Sequence, residues 1–167
     1  MNAPASSLPL ALTMGDPAGI GPEIILKAFA LHPDQMHGVC VVGDLAAMQQ
    51  HLQGLSAVLP LQLQCVAVPN LQQVWHVGNF QVPVLQAGAS LPVQFGQVSA
   101  EAGRLAADAI TCAALAALRG EVAAVVTAPL HKKALSLAGF DHPATPKCCR
   151  PWRLHTWACQ WPTCRCA

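Results

Sequence analysis

The chain has 167 residues, of which 53% are hydrophobic and 10% are charged, and its formal net charge is +1 at pH 7. This length suffices for a domain with a buried core, and the near-neutral charge argues against nucleic acid as the main partner. No run of about eighteen apolar residues predicts a membrane span. The N-terminus lacks the basic segment of a signal peptide. We therefore expect a cytoplasmic protein that has no membrane partner.

The first predicted unit is a strand, a glycine-rich loop and a helix. The apolar run Leu10–Thr13 predicts the strand, and the segment 14–23 that follows contains three glycines and two prolines. Glycine permits backbone angles that other residues avoid, and Pro22 suits the first position of a helix. Apolar residues at 24, 25, 28 and 29 then predict a helix with one buried face, extending to Leu31.

Further strands and helices alternate along the chain. Gly38–Val42 is the continuous apolar run typical of a buried parallel strand. Asp44 is a suitable N-cap for a helix over 45–53. The alternation of leucine and glutamine over 61–65 predicts a strand with one polar face. Residues 80–85 predict another strand within a stretch that otherwise resembles a loop.

The clearest unit is a long helix followed by a strand. Ser99 can cap a helix whose apolar residues recur at helical spacing as far as Ala117. Gly120 suits the position just past its end. Ala123–Thr127 then predicts a buried strand, and a loop after it opens a short helix that ends near Gly139. Because strands and helices alternate, the predicted fold class is α/β, with a largely parallel sheet flanked by helices.

Two loops follow predicted strand ends, over residues 14–23 and 127–133. Ligands of parallel sheets bind beyond the carboxyl ends of the strands. The glycine spacing of the first loop differs from the G-x-G-x-x-G dinucleotide fingerprint, and the Gly-Lys-Ser/Thr of a phosphate-binding P-loop is missing. Composition alone therefore allows either a structural turn or a ligand loop. The candidate loop residues are Gly15, Gly19, Gly21 and Thr127.

Three side chains are candidates for binding substrate or an anion: Asp16, His131 and Lys132. Asp16 can cap its own loop, or it can bind an ammonium or hydroxyl group of a substrate. Lys132 opens a predicted helix, where the helix dipole is positive. It therefore fits best if an anion binds between it and the helix end; the alternative is a solvated surface lysine. Four other histidines lack ligand-like spacing and are expected at the surface: His32, His37, His51 and His76.

Three motifs together support a family resemblance. The run Thr13–Glu23, the pattern Gly96-x-x-Ser99-x-x-x-Gly103 and the run Val126–Lys132 resemble those of 4-hydroxythreonine-4-phosphate dehydrogenases of pyridoxal phosphate biosynthesis, in order and spacing. The likeness covers roughly residues 8–143. It implies an isopropylmalate/isocitrate-dehydrogenase-like architecture, which is incomplete in this chain.

The resemblance also implies an activity. Members of this family oxidise the secondary hydroxyl of 4-phosphohydroxy-L-threonine with NAD, and the resulting β-keto acid loses CO₂ to give 3-amino-2-oxopropyl phosphate. A divalent metal (Zn, Mg or Co) would polarise the oxygen, and a homodimer would share residues between active sites. The alternatives are a related dehydrogenase of threonate or erythronate 4-phosphate, and a non-catalytic remnant that only binds a partner chain.

The resemblance stops near Pro143. In the family the Ala-Gly-Φ segment, here 138–140, is soon followed by Gly-His-Thr-Glu, where this chain reads Ala144-Thr145-Pro146-Lys147. The metal-binding histidines of the family lie further downstream than this chain extends. No catalytic residue and no metal ligand can therefore be carried over, and we expect this truncated chain to be inactive.

Residues 144–167 differ in composition from the rest of the chain. They hold four Lys or Arg residues, no acidic residue and five of the eight cysteines. Reading the message one base out of register turns Ala-Thr-Pro-Lys into codons that admit Gly-His-Thr-Glu. We therefore interpret residues 1–143 as the N-terminal α/β part of the dehydrogenase, and residues 144–167 as an unstructured tail produced by a frameshift.

A zinc site is the competing interpretation of this tail. It would use Cys148, Cys149, Cys159, Cys164 and Cys166 with His155. The tail lacks the paired Cys-x-x-Cys spacing that supports such a site. The remaining cysteines lie inside apolar stretches and are expected to be buried free thiols: Cys40, Cys65 and Cys112.

Overall fold

The computed structural model describes residues 8–59 and 62–140. The predicted boundary at 143–144 and the cysteine-rich tail lie outside these residues. Five strands form one sheet: β1 (Leu10–Thr13), β2 (Val39–Gly43), β3 (Gln64–Ala67), β4 (Gln81–Gln86) and β5 (Ala124–Thr127). Their order is β3-β4-β2-β1-β5, and every pairing in it is parallel. The predicted α/β class with a parallel sheet is confirmed.

Helices cover both faces of this sheet. They are α1 (Gly21–Leu31), α2 (Leu45–Gly54), α3 (Ala100–Leu118) and α4 (Lys132–Leu137), with a short 3₁₀ helix over Leu71–His76. Residues of α1 and α2 form one hydrophobic cluster with β2, β3 and β4. Residues of α3 and the 3₁₀ helix form a second cluster on the opposite face. None of the helices in the described part of the chain combines the length and hydropathy that crossing a membrane requires.

The predicted helix caps are present. The Asp44 side chain accepts a hydrogen bond of 2.9 Å from the Ala47 N–H, and the Ser99 hydroxyl accepts one of 3.1 Å from the Ala102 N–H. Each satisfies an amide that the helix itself leaves unpaired. Gly120 follows the end of α3 with a φ of +68°, as a helix-terminating glycine does.

The buried face of α1 differs from the prediction. Ile25, Leu26 and Phe29 are buried, whereas Ile24 is 47% exposed and Ala28 is only half-buried. Consecutive apolar residues allow more than one helical face, so periodicity alone does not fix which face packs on the sheet. The helix is confirmed, and the prediction that Ile24 belongs to its buried face is wrong, whereas Ala28 lies at the edge of that face.

Two strands also differ from their predictions. β3 begins at Gln64, because its parallel pairing with β4 starts there, opposite Gln81. Predicted strand residues 62 and 63 lie outside it, and residue 61 is outside the described residues. β5 was predicted to be buried, but it lies at the edge of the sheet, and Val126 is 51% exposed. Within the described residues β5 pairs with β1 alone. Apolar side chains of β5 therefore remain exposed to solvent within the described residues.

Burial makes the thiols of Cys40 and Cys65 unreactive. Cys40 and Cys65 are buried as predicted, whereas Cys112 is half-buried. Burial raises the pKa of Cys40 and of Cys65 from 9.0 to about 12, because the thiolate would lose its hydration.

We expect iodoacetamide to alkylate Cys40 and Cys65 slowly in the folded chain and rapidly in urea, since the thiolate is the nucleophile. The folded state keeps protons that the unfolded chain releases above pH 9.0, so the free energy of unfolding should fall as the pH rises from 9 towards 12. Peptide mass spectrometry and urea titrations at pH 8 and about pH 10 measure both effects. Equal alkylation rates in buffer and in urea would contradict this assignment.

Candidate functional site

The two loops singled out by the sequence lie against each other. The Asp16 N–H donates a hydrogen bond of 2.9 Å to the Pro129 carbonyl oxygen. Gly15 has a φ of +74°, and a Cβ atom on it would lie 2.5 Å from the same oxygen. Only glycine combines this backbone angle with so close an approach. We call residues 14–23 the glycine loop; it contacts the β5–α4 loop at the carboxyl ends of neighbouring strands.

Asp16 shapes the glycine loop from within. It is only 9% exposed, and its Oδ1 accepts a hydrogen bond of 2.9 Å from the Ala18 N–H. The Gly19 N–H donates to the Asp16 carbonyl oxygen at 3.1 Å, and a Cβ on Gly19 would lie 3.2 Å from Asp16 Oδ2. Of the two roles predicted for Asp16, the capping role is the one that these contacts display.

The glycine loop leads directly into α1, which begins at Gly21. Gly21 packs so closely on the Met14 carbonyl oxygen that a Cβ atom would overlap it. Ile20 occupies the N-cap position of α1, makes no side-chain hydrogen bond to the helix, and is 56% exposed. The positive end of the α1 dipole therefore lies at this loop without a side-chain cap.

Two further hydrogen bonds fix the glycine loop from other parts of the chain. The Gly96 N–H donates to the Ala18 carbonyl oxygen at 2.8 Å. His51 Nε2 lies 2.8 Å from the carbonyl oxygen of Pro17. Gly96 opens the second sequence motif, and Pro129 belongs to the third, so the structure brings all three motifs together at one end of the sheet.

The expectation that His51 lies at the surface is wrong. His51 is 8% exposed, and its ring packs on Phe95 with the ring centroids 4.1 Å apart. His32, His37 and His76 are exposed as predicted. The signal available in the sequence was helical spacing: positions 47, 48 and 51 share the buried face of α2.

The β5–α4 loop carries the remaining candidates. Thr127, His131 and Lys132 are all exposed. His131 is the N-cap of α4, where its Nδ1 accepts a hydrogen bond of 3.4 Å from the Ala134 N–H. The neutral imidazole therefore carries its proton on Nε2.

Helix α4 packs tightly on the start of α3. A Cβ atom on Gly103 would overlap the Ala134 carbonyl oxygen. Gly103, the last residue of the second motif, thus lets α4 approach and fixes the position of the loop before it.

A side-chain hydrogen bond between buried Asp44 and exposed Gln86 joins the adjacent strand ends. Asp44, which is 1% exposed, accepts a hydrogen bond of 2.9 Å from the Gln86 side-chain amide. The amide oxygen of Gln86 accepts from the Leu45 N–H at 3.0 Å. This link between the ends of β2 and β4 was not predicted, because no sequence pattern relates residues on two separate strands.

The described residues do not form a metal centre by themselves. Nowhere between residues 8 and 140, leaving out 60 and 61, do three His, Cys, Asp or Glu side chains come close enough to hold a metal ion. The carboxylate of Asp16 is already bonded within its loop. No catalytic step through a metal is therefore derived from these residues.

A parallel sheet whose loops converge at its carboxyl edge defines an α/β protein of the kind that binds ligands at that edge. The chain belongs to the family of pyridoxal phosphate biosynthetic protein PdxA, whose family model matches residues 35–150. The resemblance inferred from the three motifs is thereby confirmed.

Individual relatives agree with this assignment. The chain is 40% identical over 135 residues to a 4-hydroxythreonine-4-phosphate dehydrogenase of Beijerinckia indica, covering 81% of this chain and 39% of the relative. It is 41% identical over 139 residues to a D-threonate 4-phosphate dehydrogenase of Salmonella typhimurium, covering 80% of this chain and 40% of the relative.

A solved structure shows the same fold. The 4-hydroxythreonine-4-phosphate dehydrogenase of Klebsiella pneumoniae superposes with a TM-score of 0.73 at 37% identity, covering 82% of this chain and 42% of that one. The predicted dehydrogenase-like architecture is confirmed by this match. The chain spans about two fifths of the length of these relatives.

Proposed function

We propose that this chain forms the substrate-binding N-terminal part of a cytoplasmic, homodimeric, NAD-dependent dehydrogenase that oxidises 4-phosphohydroxy-L-threonine in pyridoxal phosphate biosynthesis. The observation that carries the proposal is the convergence of three motifs on one edge of the sheet in a chain of the PdxA family. Their hydrogen bonds and close glycine contacts fix these loops beyond the carboxyl ends of the strands, where parallel sheets bind ligands.

The exposed cation of the β5–α4 segment suits a phosphorylated substrate. Lys132 supplies a positive charge three residues after Pro129, whose carbonyl oxygen accepts a hydrogen bond from the glycine loop. That loop leads into helix α1, which has no side-chain cap at its N-terminus. Both features favour a phosphate group. His131 presents Nε2–H as a hydrogen-bond donor for a substrate oxygen, since its Nδ1 is used within α4. Asp16 is assigned the role of shaping the loop.

NAD and the divalent metal enter this proposal from the family resemblance. The Asp16, Ala18 and Gly19 amides already donate within the protein, so this loop is not a preformed cradle for a dinucleotide pyrophosphate. In the complete reaction, NAD would accept the hydride and the metal would polarise the substrate oxygen. The described residues bind and orient the phosphorylated end of the substrate.

Titration calorimetry with 4-phosphohydroxy-L-threonine tests the proposed site. We expect the unaltered chain to bind it and Lys132→Ala to bind it about tenfold more weakly, because a charge-assisted hydrogen bond to phosphate is lost. Lys133→Ala is the matched control, since Lys133 is also exposed and follows directly in α4. Absence of binding to the unaltered chain, or equal losses in both variants, would contradict the proposal.

D-Threonate 4-phosphate is the second candidate substrate. A relative with that name is as similar to this chain as one named for 4-hydroxythreonine 4-phosphate, at 41% and 40% identity. The two substrates differ at the carbon that bears an amino or a hydroxyl group. Titration with both compounds under the same conditions distinguishes them, since tighter binding identifies the substrate.

We further propose that this polypeptide binds but does not turn over its substrate. The support is the departure from Gly-His-Thr-Glu at Ala144–Lys147, which we attribute to a frameshift that leaves residues 144–167 as a non-native tail. An assay with NAD, a divalent metal and the substrate should give no NADH. The nucleotide sequence around codon 143 provides the direct test: the alternative frame must stay open downstream.

A further inference from the structure

Among the described residues, the His51 side chain ties the glycine loop to the body of the protein. Three other bonds from the loop to distant segments join backbone groups: Asp16 N–H to Pro129, Gly96 N–H to Ala18 and Met14 N–H to Val42. His51 instead projects from α2 and places its Nε2 2.8 Å from the Pro17 carbonyl oxygen. Since a carbonyl oxygen only accepts, Nε2 must carry the proton and donate it.

The hydrogen bond from His51 to the Pro17 carbonyl oxygen is buried, so water cannot easily take the place of His51 as its donor. His51 is 8% exposed, and Pro17 is fully buried. Water therefore has little access to the carbonyl oxygen if the donor is removed. A buried acceptor that loses its partner is costly, so the loop would shift to regain one.

The same ring also fixes the second motif. His51 packs on Phe95 at a ring-centroid distance of 4.1 Å and an interplanar angle of 43°. The next residue, Gly96, donates its N–H to Ala18 in the glycine loop. The imidazole thus contacts the glycine loop through Nε2 and the segment before α3 through its tilted packing on Phe95.

From this geometry we infer that His51 is a positioning residue for the candidate site. It sets the conformation of the glycine loop and thereby the affinity for a phosphorylated substrate. It does not contact the substrate itself. The part of this inference that concerns substrate affinity rests on the proposed function, whereas the part that concerns loop conformation does not.

Hydrogen exchange of the full chain tests the conformational part without any ligand. In His51→Leu the side chain keeps an apolar body but loses the donor, so amides in a peptide covering residues 14–23 should exchange at least tenfold faster. His51→Gln, whose amide N–H can reach the same carbonyl oxygen, should restore most of the protection. His76→Leu alters an exposed histidine and should leave this peptide unchanged.

Calorimetry with 4-phosphohydroxy-L-threonine tests the affinity part. We expect His51→Leu to weaken binding about tenfold, the equivalent of one lost buried hydrogen bond, and His51→Gln to recover most of that loss. If neither the unaltered chain nor any variant binds this compound, the proposed function is wrong. The hydrogen-exchange result then still decides whether His51 sets the conformation of the glycine loop.

Three results would overturn the inference. One is unchanged exchange over residues 14–23 in His51→Leu. Another is an equal acceleration in peptides from β2 and β4, which would indicate general destabilisation. The third is failure of His51→Gln to restore protection although its circular dichroism spectrum is that of the unaltered chain.

Discussion

Replacing Gly103 by alanine should destabilise the chain by about 3 kcal/mol, at the upper end of what overpacking costs. A Cβ atom at this position would overlap the Ala134 carbonyl oxygen and crowd the Leu135 N–H. Both are backbone groups of α4, so no side-chain rotation relieves the overlap. The two helices must separate, which also displaces the loop that carries His131. Urea denaturation followed by circular dichroism measures the loss.

Gly54→Ala is the control for the effect of a glycine-to-alanine change within a helix. Gly54 ends α2, and its Cβ would have only an ordinary contact of 3.9 Å with the Phe95 ring. This substitution should be neutral or should stabilise by up to about 1 kcal/mol. If both variants unfold at the same urea concentration, the close packing of α3 on α4 is not the reason for glycine at 103.

Gly15→Ala should cost about 3 kcal/mol and abolish binding of the proposed phosphorylated substrate. The φ of +74° costs a residue with a Cβ about 1 kcal/mol. The remainder comes from the 2.5 Å approach to the Pro129 carbonyl oxygen, which forces the two loops apart. Urea denaturation and calorimetry on the same preparation measure the two effects.

Gly120→Ala isolates the contribution of the backbone angle. Gly120 has a φ of +68°, and no atom lies within 4 Å of the Cβ position. It should lose only about 1 kcal/mol and should leave binding unchanged, because it lies after α3 and outside the site. A Gly15→Ala variant no less stable than Gly120→Ala would show that the contact with Pro129 carries little energy.

Local patterns predicted most of the elements correctly. Asp44 and Ser99 are recognisable caps because the chemistry of capping involves residues a few positions apart. The parallel sheet followed from the alternation of apolar strands and helices. The glycine loop and the β5–α4 loop could be paired because both follow strands, and the carboxyl ends of parallel strands lie at the same edge of a sheet.

What sequence missed depends on contacts between distant segments. The sequence does not distinguish His51 from the exposed histidines, because its two partners, Pro17 and Phe95, are remote from it in sequence. The apolar run of β5 indicates a strand that favours burial, but it does not indicate which other segment packs on it. Ile24 illustrates the same limit, since hydrophobicity identifies α1 but not the side that packs on the sheet.

The bond between Asp16 and Pro129 has a consequence for the order of folding. It joins the loop after the first strand of the described chain to the loop after the last, and β1 lies between β2 and β5 in the sheet. Such non-local pairing carries a large loop-closure cost and forms slowly. The local units β1–α1 and α3 can form early, but the contact between the glycine loop and the β5–α4 loop exists only after β5 has docked on β1. Substrate binding would therefore report completion of this fold, and a phosphorylated ligand would stabilise the last contact to form.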